Sequence, residues 1–206
     1  MPALTHAENR SPVCRVPVRL CGMACVPPDR IVTERLVIRR ESVHDADVIA
    51  DAIDRNRTRL LPWMGWVTDA AAEASTQVAR IADAGEQWEA GEVFDYGIFE
   101  LADGSFLGKI GMHRRIGPSG IELGYWLDVR AEGRGVITEA TTALVREALE
   151  LEDIERVEIH CDAANSRSQA VPRRLGFALD RIENRPIAAA SETGRHMVWV
   201  YQPDCR

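Results

Sequence analysis

Apolar and polar positions change period several times along this chain, and each change marks an element. From Thr33, Leu36 and Ile38 alternate with arginines as a strand does. Between Asp45 and about Asp54, Ala46, Val48, Ile49, Ala52 and Ile53 suit a helix. Leu60 to Trp66 is an apolar turn, because Pro62 and Gly65 resist regular structure. Ala70 to about Ala90 holds good helix formers, with Val78, Ile81 and Trp88 spaced to share one face. After Gly91 the period drops to two. Val93 to Leu101 and Phe106 to Ile116 predict a hairpin around Asp103-Gly104, and the turn Gly117-Pro118-Ser119-Gly120 leads into a third strand, Ile121 to Asp128. Ile137, Ala140, Leu144, Ala148 and Leu151 return to helical spacing within Val136 to Leu151, and Val157, Ile159 and Cys161 alternate in the strand that follows. A strand, helix, strand unit of this size predicts a parallel crossover. A short helix from Ser166 to Leu175 ends at Gly176, a residue suited to a left-handed cap, and a last strand is expected from His196 to Tyr201.

These elements predict a mixed α/β chain, with an antiparallel meander that turns parallel at its centre. The 206 residues suffice for one domain with an appendage. We expect an irregular N-terminal arm over 1–30, broken by Pro17, Gly22, Pro27 and Pro28, and a single domain over 31–206. The arm is compatible with a strap against a second subunit, hence with a homodimer. Its proline and glycine breaks argue against a signal peptide, and no apolar run approaches a bilayer span. Five cysteines, at 14, 21, 25, 161 and 205, form no Cys-x-x-Cys pair; reduced thiols, a cytoplasmic location and no metal site are expected. The 25 Lys and Arg against 32 Asp and Glu leave a net charge of -7, which argues against a nucleic-acid or membrane-surface binder and is compatible with an amine-bearing partner. Lys109 is the only lysine, an asymmetry that codon bias explains.

Candidate chemistry concentrates at Arg130-Ala131-Glu132-Gly133-Arg134-Gly135-Val136, between a strand and a helix. Gly133 and Gly135 let successive N–H groups point into one concavity, to which the helix start at Val136, Ile137 and Thr138 adds partial positive charge. A tight loop without ligand is the alternative. Thr138 stands where a dinucleotide fingerprint needs its third glycine, and no lysine is placed for a P-loop.

With Ile121-Glu122-Leu123-Gly124-Tyr125-Trp126-Leu127 before it, and Asn165-Ser166-Arg167-Ser168 and Leu175-Gly176-Phe177 after it, this loop resembles that of the GNAT acyl-CoA-dependent N-acyltransferases. Within them it resembles the Rim-type (RimJ/RimL) branch, which acetylates ribosomal-protein N-termini. The resemblance runs from about Thr33 to Tyr201. It implies a mainly antiparallel sheet splayed at a parallel centre, helices on both faces, and acetyl-CoA or another acyl-CoA as co-substrate with no metal. It also implies that Arg130, Gly133, Arg134, Gly135, Val136, Ile137 and Thr138 hold the pyrophosphate, and that the backbone of Leu127 and Val129 pairs with pantetheine, with Asn165 and Ser168 nearby.

Acyl transfer to an amine needs a proton acceptor and a donor for the departing thiolate. Glu122 is the candidate base, its pKa raised by burial, or else a salt-bridged strand carboxylate. Ser168 is the candidate acid, or else a first-turn capping residue, and Asn165 caps the same helix. Trp63 and Trp66 are candidate substrate walls, with plain core as the alternative. His113 reads as a packed histidine, and Arg156, Arg167, Arg173 and Arg174 as a solvated face from which one could reach the 3′-phosphate of CoA. Pro172 leaves the Ser168 carbonyl without its helical donor, and Glu183 has no assigned role. The expected activity is transfer of acetyl to a primary amine, a protein N-terminal α-amine or similar. The alternatives are a small-molecule amine, such as an antibiotic or polyamine, and a non-catalytic acyl-CoA-binding protein.

Overall fold

The computed structural model describes residues 26–203. Most of the expected arm, with Cys14, Cys21 and Cys25, lies outside the described residues, as does Cys205. The strands are β1 (Arg30–Val32), β2 (Leu36–Arg40), β3 (Val93–Glu100), β4 (Phe106–His113), β5 (Gly120–Leu127), β6 (Arg156–Asp162), β7 (Ala178–Asn184) and β8 (Arg195–Tyr201). The helices are α1 (Ala46–Leu60), α2 (Ala74–Glu89), α3 (Val136–Leu149) and α4 (Ser166–Arg174). All eight strands form one sheet in the order β1-β2-β3-β4-β5-β6-β8-β7. Every pairing is antiparallel except β5 with β6, the two strands joined by the α3 crossover.

Alternation along β5 sends Ile121 and Leu123 to one face, into a core with Ala140, Leu144 and Ala148 of α3. Trp126 goes to the other face, with Phe99, Phe106 and Ile49, Ile53 and Leu60 of α1. Helices therefore cover both faces. Full burial of a side chain such as Ile121 or Leu123 stabilises the fold by about 1.5–3 kcal/mol each.

Several boundaries depart from the expected ones. α1 continues to Leu60 because Asn56 and Leu60 lie on the same buried stripe as Ile49 and Ile53. The second helix is interrupted: Ala70–Ala72 form a 3-10 turn, Glu73 is extended, and α2 starts at Ala74. Val78 does not share the face of Ile81 and Trp88 but is exposed; Gln77 is buried instead, its side-chain amide donating to the Ala71 carbonyl (2.6 Å) across that break. β4 ends at His113, three residues earlier than expected. β1 and β7 were not anticipated. β1 has only three residues, and β7 is an exposed edge strand with almost no apolar alternation.

Candidate active site

The site begins where the parallel pair ends. β5 and β6 are in register from Gly120 opposite Arg156 to Leu123 opposite Ile159, and no further. Beyond Leu123, β5 stays paired with β4 while β6 follows β8, so the two central strands part. A cavity of about 360 Å³ lies there, lined by Trp63, Trp66, Glu122, Tyr125, Asn165 and Ser168 among others. Gly111 and Gly124 are partners across β4 and β5 and also line it. A Cβ on Gly111 would displace the Asp95 carboxylate from its present place at that wall.

Glu122 is buried and receives two hydrogen bonds from Arg115, Nε to Oε2 at 2.8 Å and a terminal nitrogen to Oε1 at 2.7 Å. Burial is the largest single influence and opposes its ionisation, but the hydrogen bonds and charge of Arg115 together with His160 and His113 outweigh it, and the carboxyl is held below the ordinary carboxylate value. This reverses the expected raised pKa: the salt-bridged alternative describes the resting carboxylate. His160 Nδ1 lies 3.6 Å from Glu122, and its Nε2 lies 2.6 Å from the buried Glu158. His160 is a cavity residue that the sequence reading missed, since one histidine in an alternating strand carries no distinguishing signal.

Ser168 is held at three points. Its N–H donates to Asn165 Oδ1 (3.0 Å), the helix cap expected of Asn165. Its carbonyl, left without a helical donor by Pro172, accepts from the Tyr125 hydroxyl at 3.2 Å. The same hydroxyl is 3.5 Å from Ser168 Oγ. Burial raises the pKa of Tyr125, which keeps the phenol protonated and able to donate. Cys161, the free thiol beside this group, is likewise kept protonated by burial.

His113 is packed beside Asp95 at 4.0 Å, and burial lowers its pKa. Lys109 is buried against Glu41 (2.7 Å) and lines the cavity, so it is not an exposed amine. Trp66 is stacked under Arg80, the guanidinium 5.1 Å from its ring centre. Glu183 lies on β7 outside the cavity, its carboxyl pulled down to about 2 by Arg185 and Arg181.

The glycine loop is a separate construction. A 3-10 turn over Val129–Ala131 is capped by the Asp128 carboxylate, which accepts from the Arg130 N–H at 2.9 Å. Burial disfavours the charge on Asp128, but hydrogen bonds from Arg55 and Arg130 prevail and bring its pKa down to about 2. Gly133 and Gly135 have φ of 72° and 76°, the left-handed region that favours glycine, and Gly135 caps α3 without a side chain. The first helical bond of α3 runs from the Glu139 N–H to the Gly135 carbonyl (3.0 Å). The N–H groups of Val136, Ile137 and Thr138 therefore have no helical acceptor. A Cβ at Gly133 would meet nothing within 4 Å, so it is the left-handed backbone and not lack of space that favours glycine there.

These groups fit a diphosphate. Arg174 reaches the same helix start, donating to Thr138 Oγ1 (3.0 Å), while Arg130 is engaged by Asp128 and Arg134 by Glu100. Arg167, Arg173 and Arg174 are exposed, as the expected solvated face requires, and the group also carries pairings: Arg156 with Glu158, Arg167 with Glu132, Arg173 with Gln169. Leu127 and Val129 also differ from expectation. The Leu127 carbonyl accepts from Arg59, and the Val129 N–H donates to Asn56 Oδ1 (2.8 Å), so neither group is open. The open edge on β5 is the run after Leu123 that faces the gap. None of the residues 127–138 lines the cavity between the parted strands; Arg130 and Arg134 border a different depression with Asp128 and Glu100.

Among the described residues, no helix is long and apolar enough to cross a membrane, and no group of three or more His, Cys, Asp or Glu could hold a metal ion.

Residues 35–178 match the model of the acetyltransferase (GNAT) domain. YdaF of Bacillus subtilis (strain 168), provisionally named a ribosomal N-acetyltransferase, is 32% identical over 148 residues, covering 71% of this chain and 79% of its own. The ribosomal protein uS5 alanine N-acetyltransferase of Escherichia coli (strain K12) is 31% identical over 156 residues, covering 74% and 79%. Among solved structures, RimL, a ribosomal L7/L12 α-N-protein acetyltransferase in complex with coenzyme A, has the same fold at a TM-score of 0.76 and 20% identity, covering 85% of this chain and 98% of its own. The split parallel pair, the glycine loop and these likenesses agree: the chain belongs to the GNAT acetyltransferase family and is an acyl-CoA-dependent N-acetyltransferase.

Proposed function

We propose that this enzyme transfers acetyl from acetyl-CoA to the α-amine of a protein N-terminus, with Glu122 accepting the amine proton and Ser168 donating to the departing sulfur. One observation carries the reading: Glu122 of β5 and Ser168 of α4 line one cavity at the point where β5 and β6 part, with Trp63 and Trp66 on its wall. The co-substrate supplies an activated thioester carbonyl. The nitrogen–carbon bond forms as the carbon–sulfur bond breaks. Glu122 takes the proton directly or through one water, and the Ser168 hydroxyl, oriented by Tyr125 and Asn165, stabilises the sulfur as it leaves. Gly133, Gly135 and the N–H groups of 136–138 hold the pyrophosphate, with Arg174 beside them.

The depressed pKa of Glu122 bears on the acceptor. A carboxylate so well stabilised by Arg115 is a weak base, sufficient only for an amine that is already substantially neutral. At pH 7.4 an α-amine is about one-third neutral, a lysine side chain only about a thousandth. The names of the bacterial relatives, which act on ribosomal proteins, point to the same class. The reading includes a cytoplasmic location and leaves nucleic acid without a role in binding.

Thiol release from acetyl- and succinyl-CoA, measured in parallel over a panel of N-terminal peptides, polyamines and amine antibiotics, tests it. Turnover with acetyl-CoA and free N-termini, at a kcat/KM at least about tenfold above any small amine, is the expected result. Turnover confined to small amines would overturn it.

A further inference from the structure

Arg80 is the one guanidinium at the acceptor cavity for which no described residue supplies a hydrogen-bonding or ion-pairing acceptor. It sits in α2, half-buried, with one terminal nitrogen shielded from water and unpartnered. It lies over the Trp66 ring, 5.1 Å from the ring centre, and its charge also favours ionisation of the buried Glu41 without a hydrogen bond to it. The neighbouring cations differ: Arg115 is bound to Glu122, Arg114 to Asp153 and Lys109 to Glu41. The shielded nitrogen of Arg80 is out of a ligand's reach; the remaining donors of the guanidinium, which lines the cavity, are the ones a ligand oxygen can meet.

Arg80 also stands at a junction. It lines the acceptor cavity and a second cavity of about 480 Å³, and Asp95, His113 and Arg115 are likewise common to both. The second cavity runs along one stripe of α2, where Arg80, Asp83 and Gln87 follow each other at helical spacing, and is closed on the far side by Glu92 and Val93 of the β3 entry. A small amine fits within the first cavity and leaves the second empty. An extended chain rising about 3.3 Å per residue would pass from one into the other over Arg80.

Resting on the N-terminal reading above, we infer that Arg80 is an acceptor-binding residue: it takes the first main-chain carbonyl oxygens of a polypeptide whose α-amine lies at Glu122 and whose following residues occupy the groove along α2. Arginine suits this role because its planar fork presents paired donors, and the Trp66 ring holds that plane in place. The charged hydrogen bond is formed by peptides and not by simple amines, so it discriminates by chemistry and not by size alone.

The test is steady-state kinetics with saturating acetyl-CoA on four acceptors: isobutylamine, an amino-acid amide, a dipeptide amide and a tetrapeptide amide, on the wild-type enzyme, R80Q and R80K. The wild type should gain at least about tenfold in kcat/KM from isobutylamine to the dipeptide amide, chiefly in KM, and more with the tetrapeptide. R80Q should lose most of that gain while still binding acetyl-CoA by calorimetry, and R80K should recover only part of it. A wild-type enzyme that turns over peptides no better with a carbonyl than without, or an R80Q variant that keeps the full length dependence, overturns the inference and leaves the N-terminal reading intact. Turnover of isobutylamine with no turnover of any peptide overturns both.

Discussion

The glycine loop and the acceptor cavity are built by opposite strategies. The loop is contiguous, six residues from Arg130 to Gly135, and the groups we propose for the pyrophosphate are backbone N–H groups presented by two left-handed glycines and a helix start. The cavity takes side chains from β3, β4, β5, β6, α2, α4 and the Trp63–Trp66 turn. Chemistry done by the backbone constrains which residues are possible and leaves a mark in a short string. Chemistry done by side chains converging from distant elements does not, and it is there that related enzymes are free to differ in acceptor.

The sharpest way to break this contrast is at Gly135. A branched residue there must adopt a φ of 76° or pull the loop out of shape, so Gly135→Val should weaken CoA binding about 100-fold, read by calorimetry, with the melting temperature lowered as well. If affinity is kept, the loop does not hold the pyrophosphate. On the cavity side, Ser168→Ala and Glu122→Gln should each lower kcat by about 10- to 100-fold and leave CoA affinity nearly unchanged. A loss in CoA affinity with kcat preserved would assign both residues to the wrong half of the site.

Asp128 caps the turn that leads from β5 into the loop, and its contribution is a matter of acid stability. Its pKa falls from 3.8 unfolded to about 2 folded, so the stabilisation is complete above about pH 4 and is lost as the pH drops toward 2. It amounts to at most about 2 kcal/mol, less to the extent that solvent screens Arg55. Urea unfolding at pH 5, 4 and 3 should show this slope, and Asp128→Asn should flatten it. The smallest effect belongs to Pro172→Ala. The restored N–H competes with Tyr125 for the Ser168 carbonyl, and a fall in kcat of a few-fold at unchanged acetyl-CoA KM is expected; no change in kcat would remove Tyr125 from the account of Ser168.

The same contrast explains what could be read in advance. The meander, the crossover and the loop were legible because Ile121 and Leu123, Ile137 to Leu151, and Gly133 and Gly135 carry strong local periods or demands. β7 was not, since Asp180, Arg181 and Glu183 on an exposed edge obey no apolar alternation. Val78 misled because one helical face can hold Gln77 instead when the break at Glu73 leaves the Ala71 carbonyl free to satisfy its side-chain amide. The Glu122 pKa was expected in the wrong direction because burial is visible in a strand pattern, whereas Arg115, reaching back across the Gly117–Gly120 turn, is a tertiary partner. Arg80 and His160 gave no signal at all, being ordinary residues of a helix and a strand until the fold sets them at the cavity.

The central claim is that the cavity between the parted strands serves an α-amine. A peptide with a free N-terminus and an internal lysine, incubated with enzyme and acetyl-CoA and sequenced by tandem mass spectrometry, tests it directly. The account predicts acetyl on the α-nitrogen alone, with the yield cut at least about tenfold in Glu122→Gln. Acetyl on the lysine side chain, or equal yield from the variant, would contradict it.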